Sequence, residues 1–153
     1  MTTVYKIPRS VLVVIHTAEL QVLMMERAGW KDFWQSVTGS VATESEALRD
    51  TAIREVREET GLDATSYALV DWAVENRFEI FRKHQSRYAP GVTHNTEHVF
   101  SMAVPRTVAI TLDPSEHLSY KWLPWREAAA ATISWTNRDA ILALPQRTGV
   151  SVK

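Results

Sequence analysis

Gly39 to Leu62 reads GSVATESEALRDTAIREVREETGL, and its second half, Arg54-Glu55-Val56-Arg57-Glu58-Glu59-Thr60-Gly61-Leu62, decides how the rest of the chain is read. At about 100° per residue, Glu58 and Glu59 fall three and four positions after Glu55, so three carboxylates share one helical face. Ala52, Ile53 and Val56 occupy the neighbouring face and would pack the helix onto a core. Gly61 supplies a left-handed stop, with the apolar Leu62 after it. Like charges this close repel each other, and a hard divalent cation that prefers carboxylate oxygen relieves them, so magnesium or manganese is the expected ion. The same spacing also fits a plain solvated face with Arg54 and Arg57 interleaved, and spacing alone leaves both readings open.

Outward from this helix the chain reads as strands. Val11 to Ile15 is a continuous apolar run, preceded by a segment broken at Pro8. Further strands are expected at Val22–Arg27, Phe33–Gly39, within Tyr67–Phe81, and at His98–Val104, Val108–Leu112 and Leu118–Leu123. Arg82 to Thr96 is polar and contains Pro90-Gly91, which predicts a long loop of the kind that often carries function. Two helices close the chain, one alanine-rich from about Glu127 and one from Ser134 or Thr136 to about Leu144. Nothing divides residues 1–153, so a single α/β domain with one mixed sheet is the economical expectation.

Composition narrows the partners. Seventeen basic residues against eighteen acidic ones give a formal net charge of −1, which lacks the positive excess of a broad nucleic-acid groove. A polyanionic substrate must therefore meet local cations or a bound metal. MTTVYKIPRS has no apolar signal core, no run approaches a membrane span, and cysteine is absent, so the expectation is a cytoplasmic protein with no membrane partner.

Arg54 to Leu62, with seven residues between Glu46 and Arg54, resembles the signature of the Nudix family: Gly, five residues, Glu, seven residues, then Arg-Glu-apolar-x-Glu-Glu-x-Gly-apolar. Here six residues separate Gly39 from Glu46, so the loop carries one extra residue or Ser40 stands in for the glycine. Thr43, in a capping box with Glu46, or Ser45 would cap the helix. The resemblance implies an α/β/α sandwich and metal-dependent hydrolysis of a diphosphate linkage. It makes Glu55 and Glu59 metal ligands with Glu58 near the metal, and has Arg54, steadied by Glu46, orient a ligand carboxylate. Glu116, in the Asp113–His117 loop, is the candidate for a further ligand, while His117 reads as structural because magnesium prefers oxygen. The proton-accepting carboxylate stays open among Glu55, Glu58, Glu59 and later acidic residues.

A narrower likeness spans nearly the whole chain. Asp32–Ser40, Phe78–Phe81, Arg87–Thr93 with Asn95–Glu97, Glu116–Leu118 with Tyr120–Leu123, and Ser134–Trp135 with Asn137–Arg138 are similar to the bacterial branch of that family acting on 7,8-dihydroneopterin triphosphate. That branch would place Lys6, Arg27, Thr38, Phe78, Glu79, Ile80, Phe81 and Ser134 at the substrate. Lys6 and Arg27 offer charge to a triphosphate, while backbone groups along Phe78–Phe81, the Glu79 carboxylate and an aromatic such as Trp34 could read a pterin ring. More plainly, Phe78, Ile80, Phe81 and Trp34 are core, Thr38 shapes a turn and Ser134 caps a helix. The implied reaction yields dihydroneopterin phosphate and pyrophosphate. A general nucleoside triphosphate pyrophosphohydrolase and a non-catalytic nucleotide sensor are the alternatives, the sensor being disfavoured by the intact set of acidic residues.

Overall fold

The computed structural model describes residues 4–150. Its centre is β1 (Arg9–His16), apolar on both faces because helices cover both. One edge of β1 pairs antiparallel with β4 (Val37–Ser40) and then with β2 (Gln21–Arg27). The other edge pairs in parallel with β6 (His94–Ala103), which pairs antiparallel with β5 (Ala68–Glu79). β3 (Trp34–Gln35) and β7 (His117–Pro124) both add to β2 and complete a seven-stranded mixed sheet.

Alternation along β1 sorts the core into two layers. Val11, Val13 and Ile15 face α1 (Leu48–Thr60), whose Ala52 and Val56 are fully buried against them. Leu12 and Val14 face the opposite layer, where α2 (Trp125–Ala131) supplies Ala128 and Ala129 and α3 (Trp135–Leu142) supplies Ala140 and Ile141. A short α4 (Leu144–Thr148) follows. The result is the expected α/β/α sandwich with a mixed sheet.

Four local expectations change. Val108–Leu112 is not a strand: Val108, Ile110 and Leu112 pack on the α1 layer, and Thr111 donates its N–H to the free carbonyl of Thr60 at the end of α1 instead of joining the sheet. The stretch expected to be a loop is shorter, with a 3-10 turn over Arg82–Arg87 and β6 already beginning at His94. Phe33–Gly39 is broken at Ser36, whose N–H donates to Asn137 Oδ1 rather than to a strand partner. Finally, neither Thr43 nor Ser45 caps α1. Its N-cap is Ala47, and the Thr43 and Ser45 hydroxyls meet each other at 3.3 Å. Gly61 does end the helix in the left-handed region, at φ 76°.

Candidate active site

At the carboxylate end, Arg54 is the organising residue. Its guanidinium grips Glu46 through both nitrogens of a fork, Nη2 to Oε1 at 2.8 Å and Nε to Oε2 at 3.2 Å, and Nη2 also donates to the Ser40 carbonyl at 3.0 Å. Its remaining nitrogen, Nη1, donates to Glu55 Oε1 at 2.8 Å and lies 3.7 Å from Glu58 Oε2. Glu46 is further held by the Ala42 N–H and the Thr51 hydroxyl, and the Arg54 fork draws its carboxyl down to about 2. The extra residue of the 40–45 loop is therefore absorbed without moving Glu46 off Arg54.

Arg54 also corrects the argument from charge repulsion. A basic partner does serve Glu55 and Glu58, and Glu58 is 56 % exposed as well. The uncompensated carboxylate is Glu59. Only 5 % exposed, it has both oxygens buried without a hydrogen-bond donor. Burial first, and Glu55 second, push its carboxyl well above the usual range; burial likewise raises Glu55. His117 Nε2 stands 3.7 Å from Glu59 Oε1 but gives no counter-charge, because burial, followed by the Arg27 charge, lowers the imidazole to about 4 and keeps it neutral at pH 7. Gly39 lies directly against this group, and a Cβ there would collide with the Glu55 carboxylate.

Two adjoining cavities open from this point. One, of about 400 Å³, carries Glu55, Glu58, Glu59, Asp113 and Glu116. The other, of about 380 Å³, carries Arg27, His84 and Arg87, the aromatic rings of Phe33, Phe78 and Phe81, and a polar floor of Ser10, Asn95, Glu97 and Asn137. Lys6, Thr38, Gly39, Ser40, Glu59 and Glu116 line both and join them into one cleft.

Like charges are concentrated in the second cavity. Lys6 and Arg87 are brought side by side because the Lys6 N–H donates to the Arg87 carbonyl at 2.9 Å and Lys6 bridges to Tyr88. Burial, then Arg87 and Arg27, lower the Lys6 ammonium; burial, then Arg27, Arg87 and Lys6, push His84 down to about 4. An anionic ligand would relieve this crowding of like charge, which Glu116 and Glu59 offset only in part.

Across residues 6–144 the chain matches the family profile of the NUDIX domain. It belongs to the Nudix family. It is 50% identical over 141 residues to the dihydroneopterin triphosphate diphosphatase of Escherichia coli K12, covering 90% of this chain and 92% of that one. Identity is 43% over 140 residues to the Haemophilus influenzae protein of the same name, covering 90% and 87%. The solved structure of the E. coli dihydroneopterin triphosphate pyrophosphohydrolase matches with a TM-score of 0.85 at 49% identity, covering 90% of this chain and 94% of that one.

Nudix hydrolases are generally dependent on divalent metal, and this site fits one. Among the described residues no three carboxylates or imidazoles close into a finished ligand set. Two orphaned oxygens on buried Glu59, a raised Glu55 beside it and the side-chain-free Gly39 nevertheless form the acceptor-only environment that a hard cation satisfies.

Most residues that the sequence singled out do converge. Lys6, Arg27, Thr38, Phe78, Ile80, Phe81 and Ser134 line the second cavity, and Glu116 comes from its loop to face Glu59, Lys6 and Arg27. Ser134 also caps α3, accepting from the Asn137 N–H. Glu79 does not join them: Phe78 and Ile80 turn inward, and the intervening Glu79 is exposed at the end of β5. Trp34 is away from the cleft too, packed on the α2–α3 layer beneath Lys121, whose Nζ lies 4.0 Å from the ring centroid. The aromatic wall is instead Phe33 and Phe81, 5.8 Å apart edge to face, with Trp30 behind them. Sequence reasoning missed Arg87, His84, Asn95 and Glu97. The last two had a signal, since Asn95 and Glu97 alternate onto the same face of β6 as the core residue Val99.

Proposed function

We propose that this Nudix protein hydrolyses 7,8-dihydroneopterin triphosphate to dihydroneopterin phosphate and pyrophosphate, with magnesium as its ion. The observation that carries this reading is the single cleft that joins a carboxylate pocket to a cationic, aromatic and polar one of a size suited to a small ligand. It is further supported by half-identity to proteins bearing that name over 90% of the chain.

Each end of the cleft has its own task. Lys6, Arg27 and Arg87 bind the phosphate chain, the arginine forks matching paired oxygens. Divalent ions, when bound, neutralise phosphate charge and make water acidic enough to be deprotonated near neutral pH. Glu55 and Glu59, with Glu58 and Glu116 at the rim, would hold them. Arg54 fixes the Glu55 carboxylate through Oε1, and Glu46 fixes Arg54. The same four carboxylates are the groups at hand to accept the proton of the attacking water.

The test compares kcat/KM for dihydroneopterin triphosphate, GTP and dATP in magnesium, with identification of the released phosphate. A preference for the pterin with release of pyrophosphate supports the proposal. Equal rates on all three would leave diphosphate hydrolysis standing and remove the pterin assignment.

A further inference from the structure

Two acceptors on the floor of the second cavity have no partner in the protein. Glu97 and Asn95 stand two residues apart on β6, each 4 % exposed, and both line the cavity. Glu97 Oε1 and Asn95 Oδ1 receive no hydrogen bond. Their surroundings are otherwise satisfied. Asn95 Nδ2 donates to Ser10 Oγ at 2.7 Å, the Asn137 amide is engaged on both sides by Ser36, and the Ser134 and Thr136 hydroxyls meet at 3.1 Å. No ion pair to Glu97 forms among the described residues, and burial raises its carboxyl to about 7 against only the Thr136 hydroxyl. A buried acceptor without a donor is costly, and two side by side facing a cavity await a ligand that brings donors.

We propose that Glu97, with Asn95 beside it, reads the donor edge of the substrate's ring, where an endocyclic N–H and an exocyclic amino group stand next to each other. This rests on the proposed function, because a pterin carries that edge, and a guanine carries the same one. The two unpartnered acceptors, Glu97 Oε1 and Asn95 Oδ1, would receive two neighbouring N–H donors of that edge. The corresponding edge of adenine turns a ring-nitrogen lone pair toward the carboxylate and is repelled. The ring is thereby selected in the cavity that Glu55 and Glu58 do not line, with its face against Phe33 and Phe81.

The test measures kcat/KM of the magnesium-loaded wild type, Glu97→Gln and Glu97→Asp on dihydroneopterin triphosphate, GTP and ATP. Glu97→Gln is expected to lower the pterin-to-ATP and GTP-to-ATP ratios on the order of a hundredfold, since it replaces an acceptor by a donor against the ring. Glu97→Asp, which keeps both acceptors but withdraws them by one methylene, should fall between, and it carries the comparison if the glutamine variant does not fold. Ratios within about twofold of wild type in a folded variant overturn the assignment. An equal loss on all three substrates also overturns it, because Glu97 would then be structural. A wild type that ignores the pterin triphosphate would instead sink the proposed function, and Glu97 would be judged on GTP against ATP alone.

Discussion

The two ends of the cleft are built in opposite ways. At the carboxylate end, Arg54, Glu55, Glu58 and Glu59 come from two turns of one helix, with Glu46, Gly39, Asp113 and Glu116 brought to them from loops and β4. At the ring end, Ser10, Phe78, Asn95, Glu97 and Ser134 come from β1, β5, β6 and the start of α3, so no short segment contains them. Both ends keep buried acceptors without donors, Glu59 at one and Glu97 with Asn95 at the other. The local construction suits chemistry shared by many diphosphates, whereas the dispersed one can vary strand by strand to suit one ring.

The largest expected effect breaks the carboxylate end. Glu59→Gln replaces one of two orphaned acceptor oxygens by a donor and should lower kcat by roughly a thousandfold, within the usual range for losing an acid–base or metal-holding group. Steady-state kinetics in magnesium check it, and a chelator should abolish turnover of the wild type. Next comes Gly39→Ala, whose methyl would displace the Glu55 carboxylate; misplacement by about an ångström costs about a hundredfold, so a comparable fall in kcat is expected. Arg87→Ala should be milder. It leaves Lys6 and Arg27 in place and is expected to raise KM for the triphosphate roughly tenfold with little change in kcat, the mark of a contact made equally in ground and transition states.

How legible each end was in the sequence follows from this difference. Helical spacing alone put Glu55, Glu58 and Glu59 on one face, but it could not say that Arg54 compensates Glu55 and Glu58 and leaves Glu59 bare, because that depends on how guanidinium and carboxylates turn above the helix. The β1 core strand and the Gly61 stop were readable from local pattern. Val108–Leu112 was misread because an apolar segment packing beneath a helix end alternates as a strand does. Glu79 lies between Phe78 and Ile80, so strand alternation turns it away from the cavity that they line, and of the two readings of Trp34 the core one holds. Arg87 reaches the site only because the chain after β5 bridges back to Lys6, a pairing between distant segments with no trace in local sequence.

The smallest expected effect sharpens the ring end and concerns stability. Glu97 titrates at 4.5 in an unperturbed setting and at about 7 in the folded protein. Between those values the folded state keeps a proton that the unfolded chain has released, so stability falls as pH rises from 4.5 to 7, and the full cost persists above. That cost is at most roughly 3 kcal/mol. Glu97→Gln should therefore melt several degrees above wild type at pH 8, with the gap narrowing toward pH 5, even as ring selectivity is lost. Thermal unfolding across that pH range checks it; a variant less stable at pH 8 would mark Glu97 as a support of the fold.

The most direct measurement of the division of labour is kcat/KM for dihydroneopterin triphosphate and for ATP in wild type, Glu59→Gln, Glu97→Gln and the double variant. Glu59→Gln should depress both substrates in proportion, Glu97→Gln should change their ratio, and the double variant should combine the two effects additively, as residues with no shared hydrogen-bond partner do. A change of ratio on altering Glu59, or a uniform loss on altering Glu97, would contradict it.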